Sequence, residues 1–257
     1  MLMILSPAKT LDFESPLPTR RRSTPGCGGE AALVIASLRK LTLPELSKRM
    51  KLKPELAEAT MRQYAAWQQK PTTRIARPAA VAYRGNAYVG LDAVTFSDED
   101  FAFAQDSLRI LSGLYGILRP LDLIQPYRLE MAMKLDTSRG RTLYEFWTET
   151  ITGELSRQLK RSGDRVLVDL ASGEYSRAVD FGALGAEVVV ASFLEDRGGR
   201  VAPVAAFAKK ARGLMASYVI RNRLSEPDQM KSFDLEGYRF DAERSSHVEY
   251  VFTRSDS

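Results

Sequence analysis

The spacing of apolar residues along the chain predicts a mixture of helices and strands. Apolar residues that recur every three or four positions among good helix formers indicate helices. They do so over Glu30 to Leu41, Pro54 to Gln69, Asp98 to Leu111, Leu143 to Lys160 and Phe207 to Leu224. Short β-branched or apolar runs indicate strands. These runs are Leu2 to Leu5, Ala79 to Tyr83, Arg165 to Leu170, Glu187 to Phe193, Arg200 to Ala205, Tyr238 to Asp241 and Val248 to Thr253.

The order of these elements predicts a mixed α/β (α+β) fold. Turn residues from Glu195 to Gly199 predict a hairpin between two strands, so the sheet is expected to be partly antiparallel. The regular strand-helix-strand cadence is missing, which disfavours a barrel or a doubly wound nucleotide-binding fold. We therefore predict one compact unit over residues 1–257, with helices flanking a mixed sheet and a flexible loop over about residues 15–29.

The segment from about residue 97 to 124 predicts a helix, a glycine turn and a second helix. Ser97 is a good N-cap for the first helix, and Gly113 and Gly116 bracket the turn. Ile117 to Ile124 would form the second helix. Two interpretations fit this pattern. One is a helix-hairpin-helix whose turn amides bind phosphates, and the other is a plain corner between two helices with a glycine cap.

The amino-acid composition excludes several classes of functional site. The 257 residues are 44% hydrophobic and 27% charged, as in ordinary globular proteins. The single cysteine, Cys27, excludes an intrachain disulfide and a cysteine-rich metal site, and the single histidine, His247, argues against a Ser-His-Asp triad or a multi-histidine zinc site. We predict no metal site and no cofactor, and no catalytic residue can be assigned from spacing.

Charge is unevenly distributed along the chain. Residues 1–84 carry 15 Lys/Arg against 6 Asp/Glu, although the whole chain has a net charge of +5. The stretch from Arg200 to Arg223 contains six cations and no acid. Two interpretations remain open: a surface that attracts a polyanion such as nucleic acid, or a solvated face balanced by acids elsewhere in the fold.

The N-terminal apolar run, Met1 to Leu5, is too short for a secretory signal and has no basic residues before it. No stretch approaches the roughly 18 apolar residues that span a bilayer. We expect a cytoplasmic protein with no membrane partner.

Several long motifs, in order, resemble the YaaA family of peroxide-stress-resistance proteins. They are Leu5 to Asp12, Leu111 to Asp122 with Gln125 to Met131 after it, Leu143 to Trp147, Leu170 to Tyr175 and Ala208 to Met215. The resemblance covers nearly the whole chain. It implies a cytosolic α/β protein with a positively charged cleft and a helix-hairpin-helix, which binds double-stranded and branched DNA with little sequence preference. It also implies a role in limiting damage and free iron during peroxide stress.

The leading hypothesis is therefore a sequence-nonspecific DNA-binding protein. The candidate phosphate contacts are Lys9, Arg109, Gly113, Tyr115, Gly116, Arg119, Arg128, Lys209, Lys210 and Arg212. On a helix Lys209 and Arg212 share a face, whereas Lys210 points about 100° away. For Lys9 an ion pair with Asp12 is an alternative role, and for Tyr115 a place in the core is the alternative.

The competing hypothesis is an enzyme that acts on a nucleotide or another phosphorylated small molecule in the same cleft. Lys9, Ser172, Glu174 and Tyr175 would supply its acid, base or nucleophile. Ser172 is equally explained as a helix cap. Cys27 has two interpretations, a peroxide-sensing thiol with a lowered pKa beside Arg20 to Arg22 or an incidental thiol in a mobile loop.

Overall fold

The computed structural model describes residues 1–255. Its strands are β1 (Leu2–Leu5), β2 (Thr10–Leu11), β3 (Arg77–Pro78), β4 (Tyr83–Arg84), β5 (Leu108–Ser112), β6 (Gly116–Leu118), β7 (Leu123–Ile124), β8 (Val166–Leu170), β9 (Glu187–Arg197), β10 (Arg200–Ala202), β11 (Arg239–Phe240) and β12 (Glu249–Ser255). Its α-helices are α1 (Gly28–Leu38), α2 (Leu43–Met50), α3 (Pro54–Ala66), α4 (Ala79–Ala82), α5 (Asn86–Leu91), α6 (Asp98–Ser107), α7 (Leu143–Ser162), α8 (Gly173–Ser176) and α9 (Ala205–Arg221). Short 3-10 turns cover Ala93–Thr95, Phe181–Ala183, Pro227–Ser232 and Leu235–Gly237.

An eight-stranded mixed sheet organises the molecule, in the order β11-β12-β9-β8-β1-β5-β6 with β10 paired to β9. The five strands from β12 to β5 are mutually parallel, whereas β6, β10 and β11 pair antiparallel. The predicted mixed α/β class is confirmed, and so is the predicted hairpin, which joins β9 to β10. Two further two-stranded pairs, β2-β4 and β3-β7, lie outside the main sheet.

The central strand β1 explains the shape of the core. All four residues from Leu2 to Leu5 are fully buried. A strand that pairs on both edges and packs against apolar side chains on both faces has a continuous hydrophobic sequence, as β1 does. Helices α6 and α9 both contact β1, and α9 also contacts β8 and β9. The carboxyl ends of β1 and β8 therefore lie side by side at the middle of the sheet.

A backbone contact between α5 and α9 sets the position of α9. A Cβ atom on Gly213 would lie 1.7 Å from the carbonyl oxygen of Ala87, and one on Gly90 would lie 2.1 Å from that of Lys210. Because only glycine leaves room for such an approach, the two helices touch through these residues. The side chain of Asn86 also donates a hydrogen bond to the carbonyl oxygen of Ala206, at 3.1 Å.

The structure corrects the prediction for residues 97–124. Ser97 caps α6 in a capping box with Asp100, as expected, but the helix ends at Ser107. Leu108–Ser112 and Gly116–Leu118 are instead paired strands of the main sheet. The helix-hairpin-helix predicted here is wrong, and so is the helix corner, because the segment is a β-hairpin. Every residue from Leu108 to Leu118 is buried, and an apolar run buried on all sides has no periodicity that separates helix from strand.

The structure also bears on two other predicted segments, and it overturns the first. Ala79 to Tyr83 was expected to be a strand, but Ala79–Ala82 forms the short helix α4, in keeping with the helix propensity of alanine. The segment predicted as a flexible loop has little regular structure before Gly28, and its backbone is hydrogen-bonded to the chain around β7. Ser23 exchanges backbone hydrogen bonds with Leu121 and Leu123, at 2.8 and 2.9 Å.

Candidate functional site

A pocket lies at the carboxyl ends of the neighbouring parallel strands β1 and β8. From β1 the chain reaches β5 on one side and later β8 on the other, so the loops after β1 and β8 leave a crevice between them. In open α/β sheets ligands bind at such a point. The cavity has a volume of about 340 Å³. We call it the strand-end pocket; it is lined by Leu5 to Thr10, Arg84 to Ala87, Tyr127 to Glu130, Leu170, Ser172, Glu174, Tyr175, Lys209 and Arg212.

Two serines connect the ends of β1 and β8. The amide of Ser172 donates to Oγ of Ser6 at 2.8 Å, and the Ser6 hydroxyl donates to Oγ of Ser172 at 3.2 Å. Tyr88 fixes the same turn by donating to the carbonyl oxygen of Ser6 at 3.0 Å. Ser172 occupies the N-cap position of α8 but makes no capping hydrogen bond with its side chain. The oxygen of this hydroxyl therefore accepts from Ser6 and does not cap the helix.

Five cationic side chains and two carboxylates line the strand-end pocket within the described residues. Lys9 forms an ion pair with Glu130 at 2.8 Å, and not the ion pair with Asp12 that the sequence suggested. Asp12 is instead bound by Arg84. Four of the ten predicted contact residues, Lys9, Arg128, Lys209 and Arg212, thus meet at this one pocket.

Arg128 and Arg212 are the unusual members of this set. The Nε atom of each is buried and has no hydrogen-bond partner among residues 1–255. Burial lowers the pKa of Arg212, and the nearby charge of Asp169 partly offsets that effect. Burial also raises the pKa of Asp169, which precedes the lining residue Leu170 on β8. Since buried N–H groups in proteins nearly always have a partner, these two donors are candidates for binding an anionic ligand.

Tyrosines form the floor of the pocket. Tyr127 and Tyr175 line it, and the hydroxyl of Tyr127 exchanges hydrogen bonds with Tyr83 at 2.6 Å and with Ser112 at 2.7 Å. Burial raises the pKa of Tyr127 and of Tyr175 above that of an ordinary phenol. Both are neutral at physiological pH, so they offer hydroxyl and ring surface and no negative charge.

A shallower groove of about 750 Å³ adjoins the pocket and shares Lys9, Thr10, Arg84, Tyr127 and Arg128 with it. We call it the side groove. Its far wall is the face of α3 that carries Leu56, Thr60 and Gln63.

Sequence reasoning missed the cations beside this wall. Four exposed cations follow one another here: Lys48 and Arg49 in the last turn of α2, and Lys51 and Lys53 in the connection to α3. We call them the basic turn. The helix α2 had a readable signal, the sequence Thr42-Leu43-Pro44-Glu45, which forms a capping box: the amide of Thr42 donates to Glu45 at 2.8 Å.

The structure buries the glycine turn that was expected to hold phosphates. Tyr115 lies in the core, where its hydroxyl accepts hydrogen bonds from Trp67 at 2.9 Å and from the amide of Gln125 at 3.1 Å. The carbonyl of Gly113 accepts from Trp147, and a Cβ on Gly116 would lie 2.5 Å from the Trp147 ring. The physical premise for phosphate binding by Gly113, Tyr115 and Gly116, namely exposed amides, is therefore wrong.

Three predicted cations also lie away from the strand-end pocket. Arg109 and Arg119 line a second cavity of about 270 Å³, which we call the arginine cavity. Lys210 points away from Lys209 and Arg212, as helical geometry predicted, and forms an ion pair with Glu236. At the end of the acid-free stretch Arg223 forms an ion pair with Asp100 at 2.7 Å, so this part of the stretch is balanced within the fold.

Cys27 is neither the reactive thiol nor the mobile one that the sequence suggested. Its side chain is buried beside the arginine cavity, at the start of α1. Burial, with the negative charges of Glu154 and Glu30, raises the pKa of the thiol to about 12. His247 is exposed.

Among residues 1–255 no cluster of three or more His, Cys, Asp and Glu side chains is arranged to hold a metal ion. Within the same range, none of the helices combines the length and the apolar character needed to cross a bilayer.

Comparison with protein families decides the relationship that the motifs suggested. A family model described as peroxide stress protein YaaA matches residues 1–244. The chain belongs to this family. Membership in the YaaA family gives the chain a role in the oxidative stress response. The match runs from β1 through α9 and past β11, so it includes every residue of the strand-end pocket, the side groove and the basic turn.

Proposed function

We propose that this YaaA-family protein acts in the oxidative stress response by binding duplex and branched DNA with little sequence preference. One observation carries the proposal. The strand-end pocket, with Lys9, Arg128, Lys209 and Arg212, opens into the side groove, and Lys53 of the basic turn precedes Leu56 of the groove wall by three residues. Cations from three separate parts of the chain therefore border one continuous depression.

The link between the basic turn and the side groove follows from helix geometry. Leu56, Thr60 and Gln63 are spaced four and three residues apart and form one face of α3. Lys53 precedes Leu56 by three residues and so stands at the N-terminal end of that face. A rod-shaped anion lying along the side groove would meet Lys53 before it reached the pocket.

Electrostatics favours a phosphate backbone at the basic turn. Four exposed cations fall within six residues, and no acid lies between Glu45 and Glu55. One of them, Arg49, donates to the carbonyl oxygen of Lys134 at 2.9 Å, which leaves the three lysines as the freer contacts. Lysine contacts to phosphates position a protein on DNA but carry no sequence information.

The middle of the side groove is less favourable for DNA than its ends. Asp12 and Glu14 line it together with Arg84, which is already bonded to Asp12 at 3.0 Å. Phosphate contacts are therefore expected at the basic turn and at the pocket rim, with water between the groove floor and the DNA.

The test is a gel-shift series from 50 to 200 mM salt with duplex, single-stranded and four-way-junction DNA. With about five phosphates neutralised, log K should fall against log salt with a slope of about −4.5 for duplex. Changing Lys51 and Lys53 together to alanine should weaken binding to all sequences roughly tenfold or more and should flatten the slope by about 2.

A matched control removes two positive charges elsewhere. Lys160 and Arg165 are exposed and lie at the end of α7 and just before β8, at the amino end of that strand, whereas the pocket lies at its carboxyl end. The double alanine variant of these residues should keep the wild-type affinity and slope. Equal losses in the two double variants, or an association that does not depend on salt, would contradict the proposed interface.

A further inference from the structure

We infer that the strand-end pocket binds a single nucleotide unit, with its phosphate between Arg128 and Arg212 and its nucleoside against the tyrosine floor. The inference deepens the DNA binding proposed above by naming the unit that enters the pocket, and its test separates the two. It depends on the juxtaposition, at the ends of β1 and β8, of two unpartnered arginine donors and a mostly apolar cavity.

The size of the pocket limits the ligand to one unit. Pockets of about 300–1000 Å³ hold small molecules, and this one has about 340 Å³. A DNA duplex is too wide to enter, since its major groove alone measures about 12 Å across. The ligand is therefore a free small molecule or one residue of a polymer that reaches into the pocket.

The charge of the pocket selects an anion with several oxygens. Five cations against two carboxylates leave its lining with an excess of three positive charges, counted over the described residues. Lys9 is paired with Glu130, and Arg84 is paired with Asp12 outside the lining, so the positive charge is concentrated at Arg128, Lys209 and Arg212, with Glu174 as the other lining carboxylate. Arginine presents a planar fork of donors that matches phosphate oxygens, and a buried Nε–H without a partner points to an acceptor of that kind.

The hydroxyl of Ser172 offers the ligand a further hydrogen-bond donor. Because the Ser6 hydroxyl donates to Oγ of Ser172, and the Ser172 amide donates to Oγ of Ser6, the hydrogen of the Ser172 hydroxyl is left for another acceptor. Ser172 lines the cavity. It can therefore donate to a sugar or phosphate oxygen of the ligand.

The apolar part of the pocket argues for more than inorganic phosphate. Leu5, Leu129 and Leu170 line the cavity together with Tyr127 and Tyr175, whose phenols are neutral because burial raises the pKa of both. Apolar and aromatic side chains are the surface on which a nucleobase and a sugar ring pack. A phosphate ion alone would leave this surface uncovered, whereas a nucleoside monophosphate covers both halves of the pocket.

The first experiment is calorimetric titration of the full chain at 150 mM salt with the four deoxynucleoside 5′-monophosphates, the matching nucleosides and inorganic phosphate. We expect at least one monophosphate to bind ten times or more tightly than its nucleoside and than phosphate. Arg212→Gln should lower the affinity for that monophosphate at least tenfold. A monophosphate that binds no better than inorganic phosphate would overturn the inference.

Two further variants keep the result interpretable. Lys209→Ala changes an exposed residue of the pocket rim, so this variant should fold normally. Its affinity for the monophosphate should be several-fold lower than that of the wild type. The Lys51 and Lys53 double alanine variant should lose duplex affinity and bind the monophosphate as the wild type does. Unchanged monophosphate binding in both Lys209→Ala and Arg212→Gln would place the ligand outside the pocket and refute the inference.

Competition experiments identify the source of the nucleotide. The tightest monophosphate is titrated into complexes with a blunt duplex and with a duplex that carries a 5′-phosphorylated single-stranded overhang. Selective displacement of the overhang duplex would identify a strand end as the occupant, and undisturbed complexes would identify the free nucleotide. Both results support the pocket assignment. If no nucleotide binds to the wild type, and the Lys51 and Lys53 double alanine variant still loses duplex binding, the DNA interface stands and the pocket assignment fails.

Discussion

The strand-end pocket and the arginine cavity are both rich in cations, yet their arginines are held in opposite ways. In the arginine cavity Arg119 pairs with Asp122 at 2.9 Å and Arg157 pairs with Glu154 at 2.7 Å. Arg109 donates to two backbone carbonyl oxygens, at 2.7 and 2.9 Å. In the strand-end pocket the buried Nε atoms of Arg128 and Arg212 have no such partner within residues 1–255.

The arginines of the two cavities differ in whether the protein itself supplies their hydrogen-bond acceptors. Where the protein supplies the acceptors, an arginine ties segments of the chain together and has fewer donors left for a ligand. Arg109 illustrates the cost of burial, which lowers the pKa of its guanidinium to about 10. Where acceptors are missing, the donors are available to an incoming anion. The comparison predicts that charges in the arginine cavity govern stability and that those in the strand-end pocket govern binding.

The largest expected effect tests the stability side of this comparison. Asp122 is buried and accepts hydrogen bonds from the amide of Arg119 at 2.8 Å, from its guanidinium, and from Ser23 at 2.6 Å. Asp122→Ala leaves these donors without an acceptor and should lower the free energy of unfolding by about 3 kcal/mol. Urea denaturation measures the loss.

Glu154→Ala is the matched control in the same cavity. Arg157, the partner of Glu154, is largely exposed, so this pair is worth about 1 kcal/mol or less. DNA affinity per folded molecule should be unchanged in both variants. Equal stability losses from Asp122→Ala and Glu154→Ala would break the argument that burial of the acceptor decides the effect.

A smaller effect is expected from Cys27 at high pH. The thiol has a pKa of about 12 in the folded protein against an ordinary value of 9.0, so the folded state holds the proton more tightly. Its contribution to stability is fully present below pH 9 and is lost as the pH rises from 9 to 12, by at most about 1.4 kcal/mol per pH unit. Denaturation of wild type and Cys27→Ala from pH 8 to 10.5 measures the difference in slope.

The same pKa governs the chemistry of this thiol. At pH 8 the thiolate fraction should be roughly a thousandfold lower than for a free cysteine, so disulfide reagents and peroxide should modify Cys27 slowly unless urea is added. Identical pH slopes for wild type and Cys27→Ala, or rapid modification of the native protein, would show that the thiol is not buried as described.

The smallest stability change belongs to the strand-end pocket. Arg212→Gln removes a donor without a protein partner, so the free energy of unfolding should fall by about 1 kcal/mol or less. Ligand affinity should fall at least tenfold in the titrations described above. Should Arg212→Gln destabilise the protein as strongly as Asp122→Ala, the contrast between the two cavities would disappear.

The sequence was sufficient for features that depend on neighbours along the chain. Helical periodicity separated Lys209 and Arg212 from Lys210, and the structure confirms that only the first two line the pocket. Ser97 was recognised as a helix cap because capping is a local interaction. The short apolar run Leu2–Leu5, which ends at Ser6 and Pro7, was recognised as a strand for the same reason.

Features that depend on distant contacts were beyond sequence reasoning. Ser6 and Ser172 are separated by 166 positions, and only the parallel pairing of β1 with β8 brings them together. From the sequence, Gly113 and Gly116 are as compatible with an exposed turn as with a buried one. The Trp147 ring that buries them lies in α7, far along the chain. The partner of Lys9 was misjudged because Glu130 is far along the chain whereas Asp12 is near.

The contact between α5 and α9 makes the width of the strand-end pocket adjustable without any change in charge. Lys209 and Arg212 reside on one helix, and the chain that opens the other, Gly85 to Ala87, forms part of the same rim. A single methyl group added at Gly90 or Gly213 would push these two walls apart. Ligand selectivity could therefore be redesigned by steric wedges placed behind the cavity, while every polar side chain that lines it keeps its chemical identity.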